Sequence, residues 1–92
     1  MNNCRTQEVV HTLKTWPQPF EAVLSFRKTH EIRVNDRDFT EGDILVLQEF
    51  DPDINVLTGR EITCRITYVT SAGSFGLPND LCVMSIKIEH CK

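Results

Sequence analysis

The sequence predicts an α+β domain that is mainly β: a small, curled, mostly antiparallel five-stranded sheet or barrel with one main short helix. Five strand-like runs recur along the chain, punctuated by Pro17, Gly42, Gly59 and Gly76. A single segment, residues 20–26, carries apolar side chains at helical spacing. The strand-like runs lie close enough in sequence for mostly antiparallel pairing, and closing the sheet removes edges that 92 residues can hardly cover. This length makes one domain, residues 1–92 with a core at about 9–88, able to bury only about two-thirds of its unfolded surface.

Residues 9–16 alternate as a strand, with His11, Leu13 and Thr15 on one face and Thr12, Lys14 and Trp16 on the other. Pro17 ends it. Pro19 suits a first helical turn, and Phe20, Val23 and Leu24 form an ordinary core stripe over about two turns, with Phe26 a further apolar position at its end. In residues 29–34, Thr29, Glu31 and Arg33 share one face and His30, Ile32 and Val34 the other. Glu41-Gly42-Asp43 is a tight-turn signal before the apolar strand 44–50. Asp51-Pro52-Asp53 begins the next connection and Thr58-Gly59-Arg60 closes it. The run 61–70 then places Ile62, Cys64, Ile66 and Tyr68 on one face and Thr63, Arg65, Thr67 and Val69 on the other, forming a long hairpin with 44–50. A loop at 71–80 leads to a last strand at 81–88 and a short tail.

Composition narrows the function. Hydrophobic residues make up 40% and charged residues 25%, a globular mix. Apolar runs such as Ile44-Leu45-Val46-Leu47 are too short to span a membrane, and the polar start of the chain lacks a signal-peptide core, so a cytoplasmic protein is expected. Cys4, Cys64, Cys82 and Cys91 show no CxxC spacing and read as reduced thiols; His11, His30 and His90 are too scattered for zinc. No metal and no cofactor is expected. A net charge of −3 argues against a long non-specific DNA track and leaves room for a local, pocket-like contact with nucleic acid. Neither a Ser-His-Asp order nor a phosphate-binding glycine loop occurs.

The candidate site is the stretch 26–38, which holds seven charged side chains. Lys28, Glu31 and Arg33 place a cation, a carboxylate and a guanidinium together, a combination that suits a nucleotide. Arg33 or Arg37 can hold a phosphate through two donors, while Glu31 can accept from an exocyclic amine. Lys14 and Trp16 can add charge and a stacking surface, although Trp16 reads equally well as a core residue beside Pro17. The same charges also fit a solvated edge strand, and Asp36, Arg37 and Asp38 fit a self-bonded turn.

The run Arg27 to Phe39, followed by Gly42-Asp43 and an apolar strand, resembles the signature of the ASCH domains of the PUA-like superfamily, most of all their short bacterial and phage subgroup. The pattern Gly-x-Lys-x-x-Glu-x-Arg falls on Phe26, Lys28, Glu31 and Arg33, with Phe26 in place of the glycine. His11 to Pro17, Leu47 to Pro52, Thr58-Gly59-Arg60 and Phe75-Gly76-Leu77 resemble that subgroup too. The resemblance implies a PUA-like β-barrel that binds RNA or a modified nucleotide in a charged cleft beside the helix. It also implies an alternative: a small hydrolase acting on N4-acylated cytidine or single-stranded RNA, with Lys28 and Glu31 as catalytic pair. Relatives pair that lysine with a threonine three positions on, where this chain has Glu31.

Overall fold

The computed structural model describes residues 8–91, so Cys4 and Lys92 lie outside the described residues. The chain runs β1 (Val10–Thr15), α1 (Pro17–Leu24), β2 (His30–Val34), β3 (Ile44–Asp51), β4 (Val56–Thr70), a 3-10 turn (Ser74–Gly76) and β5 (Leu81–Cys91). The strands form one sheet in the order β1-β3-β4-β5-β2. β1 pairs with β3 in parallel, whereas β3–β4, β4–β5 and β5–β2 are antiparallel. The sheet is therefore mixed, a curled half-barrel. Its first two strands in sequence are its two edges, and the expected backbone closure is absent among the described residues.

The expected alternation in β1 holds: His11, Leu13 and Thr15 are buried, and Val10, Thr12 and Lys14 are exposed. Leu13 packs with Leu45, Leu47, Ile62 and Met84 from the other strands, under Phe20 and Val23 of α1. His11 Nε2 lies 2.8 Å from Asp43 Oδ2, so β1 is braced to the turn that starts β3. Its ring meets Phe39 edge-on at 4.8 Å, a structural role for this histidine. Cys64 and Cys82 are buried free thiols, and burial pushes Cys64 up to about 12, far from a reactive thiolate.

Helix α1 opens on Trp16 in extended conformation with Pro17 and Pro19 in its first turn, where their missing N–H groups leave no intrahelical bond unmade. It closes in a Schellman arrangement: Phe26 N–H donates to Val23 O (3.0 Å) and Arg27 N–H to Ala22 O (2.9 Å). The left-handed residue this closure needs is Phe26, with φ 62°. A glycine is the usual occupant of such a position. Phe26 is 71% exposed, so it leaves the core stripe to Phe20, Val23 and Leu24.

Two irregularities in β4 correct the sequence reading. Gln48 pairs with Glu61, yet Phe50 pairs with Leu57, so β4 carries two extra residues there. Thr58-Gly59-Arg60 is thus a bulge inside the strand, with Gly59 at φ 98°, and the hairpin turn is the shorter segment before Val56. A second shift between Ile66 and Tyr68 inserts one residue opposite β5. Because the side-chain period is two, that insertion swaps the faces: Tyr68 is exposed, and Val69 packs on the core. β5 also continues past the expected end at residue 88 to Cys91, held by β4.

Candidate functional site: a charged seam between the edge strands

β2 inverts the usual strand pattern. Glu31 is 3% exposed and Arg33 half-buried, while Ile32 and Val34 face solvent. The charged face is therefore turned inward, against the reading of a solvated edge, and the reason lies in the free edges of β1 and β2. Each has backbone acceptors that no strand satisfies, and the charged stretch meets them. Lys28 Nζ donates to His30 O. Arg33 Nη2 donates to Lys14 O at 3.0 Å and Thr15 Oγ1 at 3.3 Å, and Arg37 Nη1 donates to Thr12 O at 3.0 Å. Arg33 and Arg37 thus span the seam that a closed barrel would bridge with backbone bonds, while Lys28 caps an acceptor of β2 itself.

Glu31 is the hub of this arrangement. Its Oε1 accepts from Lys28 Nζ at 2.7 Å and its Oε2 from Arg33 Nε at 2.9 Å, so one buried carboxylate positions two cations. Beside them opens a cleft of about 280 Å³ lined by Lys14, Thr15, Trp16, Pro19, Lys28, Glu31, Ile32 and Arg33. Five of the six residues expected from sequence meet there: Lys14, Trp16, Lys28, Glu31 and Arg33. Trp16 is 61% exposed, which settles its two sequence readings in favour of a surface ring. Lys14 Nζ also lies 4.7 Å from the centre of the Phe50 ring. Arg37 does not line this cleft. It lies along a neighbouring hollow of about 350 Å³ that shares Ile32 and Arg33 with the first, with its own Nε 3.6 Å from Asp36.

Lys28 and Arg33 retain donors for a ligand. Two acceptors hold the Lys28 ammonium, which has three hydrogens, and the Arg33 contacts use Nε and Nη2, leaving Nη1 without a partner among the described residues. With Lys14, three cations face one carboxylate already engaged by two of them. The cleft suits an anionic ligand with a flat apolar part. Among the described residues no group of three or more His, Cys, Asp or Glu side chains is placed to hold a metal ion. No helix there is long and apolar enough to cross a membrane.

A second polar cluster was not singled out as a site from sequence. Glu49, 6% exposed, accepts from Thr58 Oγ1 (2.7 Å) and from Arg60 Nε (2.9 Å) and Nη2 (3.0 Å). Arg60 Nη2 also reaches Glu21 at 2.8 Å, and its guanidinium stacks 4.9 Å from the centre of the Phe20 ring. The bulge at Gly59 is what brings Thr58 and Arg60 onto one carboxylate; Thr58-Gly59-Arg60 was the only signal, and it looked like a turn. The Arg60 and Thr58 hydrogen bonds hold the Glu49 carboxyl below its ordinary value of 4.5 against the opposing effect of burial. A depressed carboxylate stabilises the fold above its unfolded value, and that stabilisation is lost as pH falls through the folded one. The thermal midpoint of the parent is therefore expected to fall steeply below about pH 4.5. Glu49→Gln should show a shallower fall in calorimetric scans over the same range, and equal slopes would refute the assignment. Glu89, lowered likewise by Arg65, keeps part of the acid sensitivity in both proteins.

Fold and seam together define a small, mostly β half-barrel domain with a charged cleft between its edge strands. The chain belongs to the family described as "Domain of unknown function (DUF3850)", which it matches over residues 10–86. That match begins with β1 and ends within β5, so it includes every residue of the cleft. The chain is also similar to the "Uncharacterized 12.9 kDa protein in GpA 3'region" of Escherichia phage P2, with 39% identity over 61 residues, 66% of this chain and 54% of the phage protein. It thus spans about half the length of that relative.

Proposed function

We propose that this domain is a binding module for single-stranded RNA or a modified nucleotide, of the ASCH type within the PUA-like superfamily, using the cleft at the seam. The observation that carries the reading is the retention of cationic donors on Lys28 and Arg33 beside the exposed ring of Trp16, within one cleft. A base stacks on the indole while Lys14, Lys28 and Arg33 offer charge to the phosphate. Trp16 is the only tryptophan of the chain, so its fluorescence reports directly on the site. Titration with a short single-stranded RNA is expected to quench it saturably. Lys28→Ala and Arg33→Ala each weaken binding by about 1–3 kcal/mol. Trp16→Ala, followed by calorimetry, costs about 1–3 kcal/mol per stacked base and disturbs the fold little, because the ring is exposed. Unchanged affinity in all three variants would reduce the seam to a purely structural device.

One observation favours a second reading. The 2.7 Å contact of Lys28 Nζ with Glu31 Oε1 is an amine–carboxylate pair at the cleft wall, as proton transfer requires. In a hydrolase acting on N4-acylated cytidine or RNA, Glu31 would serve as base toward water and Lys28 would stabilise the oxyanion. Incubation with N4-acetylcytidine and with short RNA separates the readings: turnover abolished in both Lys28→Ala and Glu31→Gln identifies an enzyme, and saturable binding without product identifies a binding module.

A further inference from the structure

We infer that the outer half of β5 is a docking edge for an extended segment of a partner protein, one that places an apolar side chain beside Phe26 and an acidic one near Lys87. β2 has five residues and β5 has eleven, so β2 covers only the first part of its neighbour. The ladder between them ends with His30 opposite Ser85, and the next backbone bond, Ile86 N–H to Thr29 O at 3.1 Å, is the last on that side among the described residues. Beyond it β5 continues to Cys91 with β4 on its other side, through a one-residue bulge at Glu89 that leaves Lys87 and Ile88 as the regular part of the free edge. The chain leaves β5 here because helix α1 turns sharply at Phe26.

Past the end of the β2 pairing the core of the half-barrel lies close beneath the surface. A groove of about 230 Å³ is lined there by Val23, Ile86 and Ile88 from the core side and by Phe26, Lys28 and Lys87 from the rim. Val23 and Ile86 are 1% and 8% exposed, so its floor is continuous with the hydrophobic core. Phe26, 71% exposed at φ 62°, combines two unfavourable features at the lip of this groove. A strand continuing the line of β2 meets both demands of the site. Its backbone pairs with the β5 edge, and its alternate side chains cover the groove and Phe26. A helical partner cannot satisfy a strand edge in this way, because its backbone groups are already paired within the helix. The strand edge and the apolar floor call for a peptide rather than a nucleic acid, and the exposed ammonium of Lys87 at the rim favours a carboxylate on that peptide, which gives an apolar-acidic alternation.

The test pans the full chain against a displayed library of short random peptides and measures an enriched sequence as a synthetic peptide by calorimetry. Enriched peptides should alternate apolar and polar positions and include Asp or Glu. Methylating alternate backbone amides of the peptide should abolish binding, since only strand pairing needs those donors. Phe26→Gly, which removes the ring and suits the left-handed backbone, should weaken binding at least roughly tenfold, as should Lys87→Glu. Absence of enrichment, or affinity indifferent to amide methylation or to Phe26→Gly, overturns the inference. So does sedimentation showing a dimer that Phe26→Gly dissociates, because a second copy of this chain then occupies the edge. RNA binding at the seam is read separately through Trp16, so failure here leaves that proposal untouched.

Discussion

Phe20→Ala lowers the free energy of unfolding by about 3–5 kcal/mol, the largest loss expected from any single truncation described. Phe20 is 1% exposed and sits where α1 meets the sheet, packed in the same cluster as Leu45, Leu47 and Met84. Its removal takes a large apolar surface out of the core and leaves a cavity under a helix of eight residues, too short to hold its shape without that contact. The ring also supports the Arg60 guanidinium 4.9 Å away, so the loss extends to the Glu49 cluster. Denaturant unfolding followed by circular dichroism checks the value. A cost below about 1 kcal/mol would show that α1 rests on the sheet without anchoring it. Pro19 and Trp16, which line the cleft, ride on this helix and its entry, so the same variant should also loosen the ligand site.

Glu31→Ala is expected to cost about 3 kcal/mol, the low end for breaking a buried ion pair. The carboxylate is 4% exposed at its side chain and holds cations that are 23% and 27% exposed. Removing it leaves two charges facing each other with their anion gone, while solvent reaching both limits the damage. Each cation also closes a strand edge, Lys28 at His30 O and Arg33 at Lys14 O, so their reorientation unfastens the seam itself. Urea unfolding near neutral pH gives the number. A loss under about 1 kcal/mol would mean that the triad is held by its backbone contacts rather than by its own charges.

Much of this arrangement was legible in the sequence, and the reasons for the rest are physical. The five strands, their order around the helix and the β3–β4 hairpin follow from local alternation and from Pro17, Gly42 and Gly76. The parallel β1–β3 pairing is a long-range fact that no local pattern carries. At Tyr68 the alternation itself misled, because one inserted residue in β4 reverses every face after it. At Gly59 the local sequence does not choose between a turn and a bulge, because glycine serves both equally well. The cleft was visible as a density of charge at 26–38, yet its internal logic was not. Nothing local says that Glu31 points inward, because that depends on two strand edges which approach each other only once the whole sheet has curled. Arg37 shows the limit most plainly: it lies close in sequence to Arg33 and spans the same seam, but it borders a different hollow.

Arg33 and Arg37, which reach across to the β1 edge, bear on self-association as well. An uncovered strand edge is a template on which other molecules, folded or unfolded, add strands and begin to aggregate. Here the carbonyls of Thr12 and Lys14 are already taken by guanidiniums from the same chain, each fixed in place by a second contact to Glu31 or Asp36. An intruding strand must first displace two charged groups and then lie beside them, a local penalty that grows as neighbouring cations accumulate along a fibril axis. The stretch that shapes the cleft is therefore also the gatekeeper of the edge it crosses, and substitutions that neutralise Arg33 and Arg37 together trade away protection against aggregation along with any ligand.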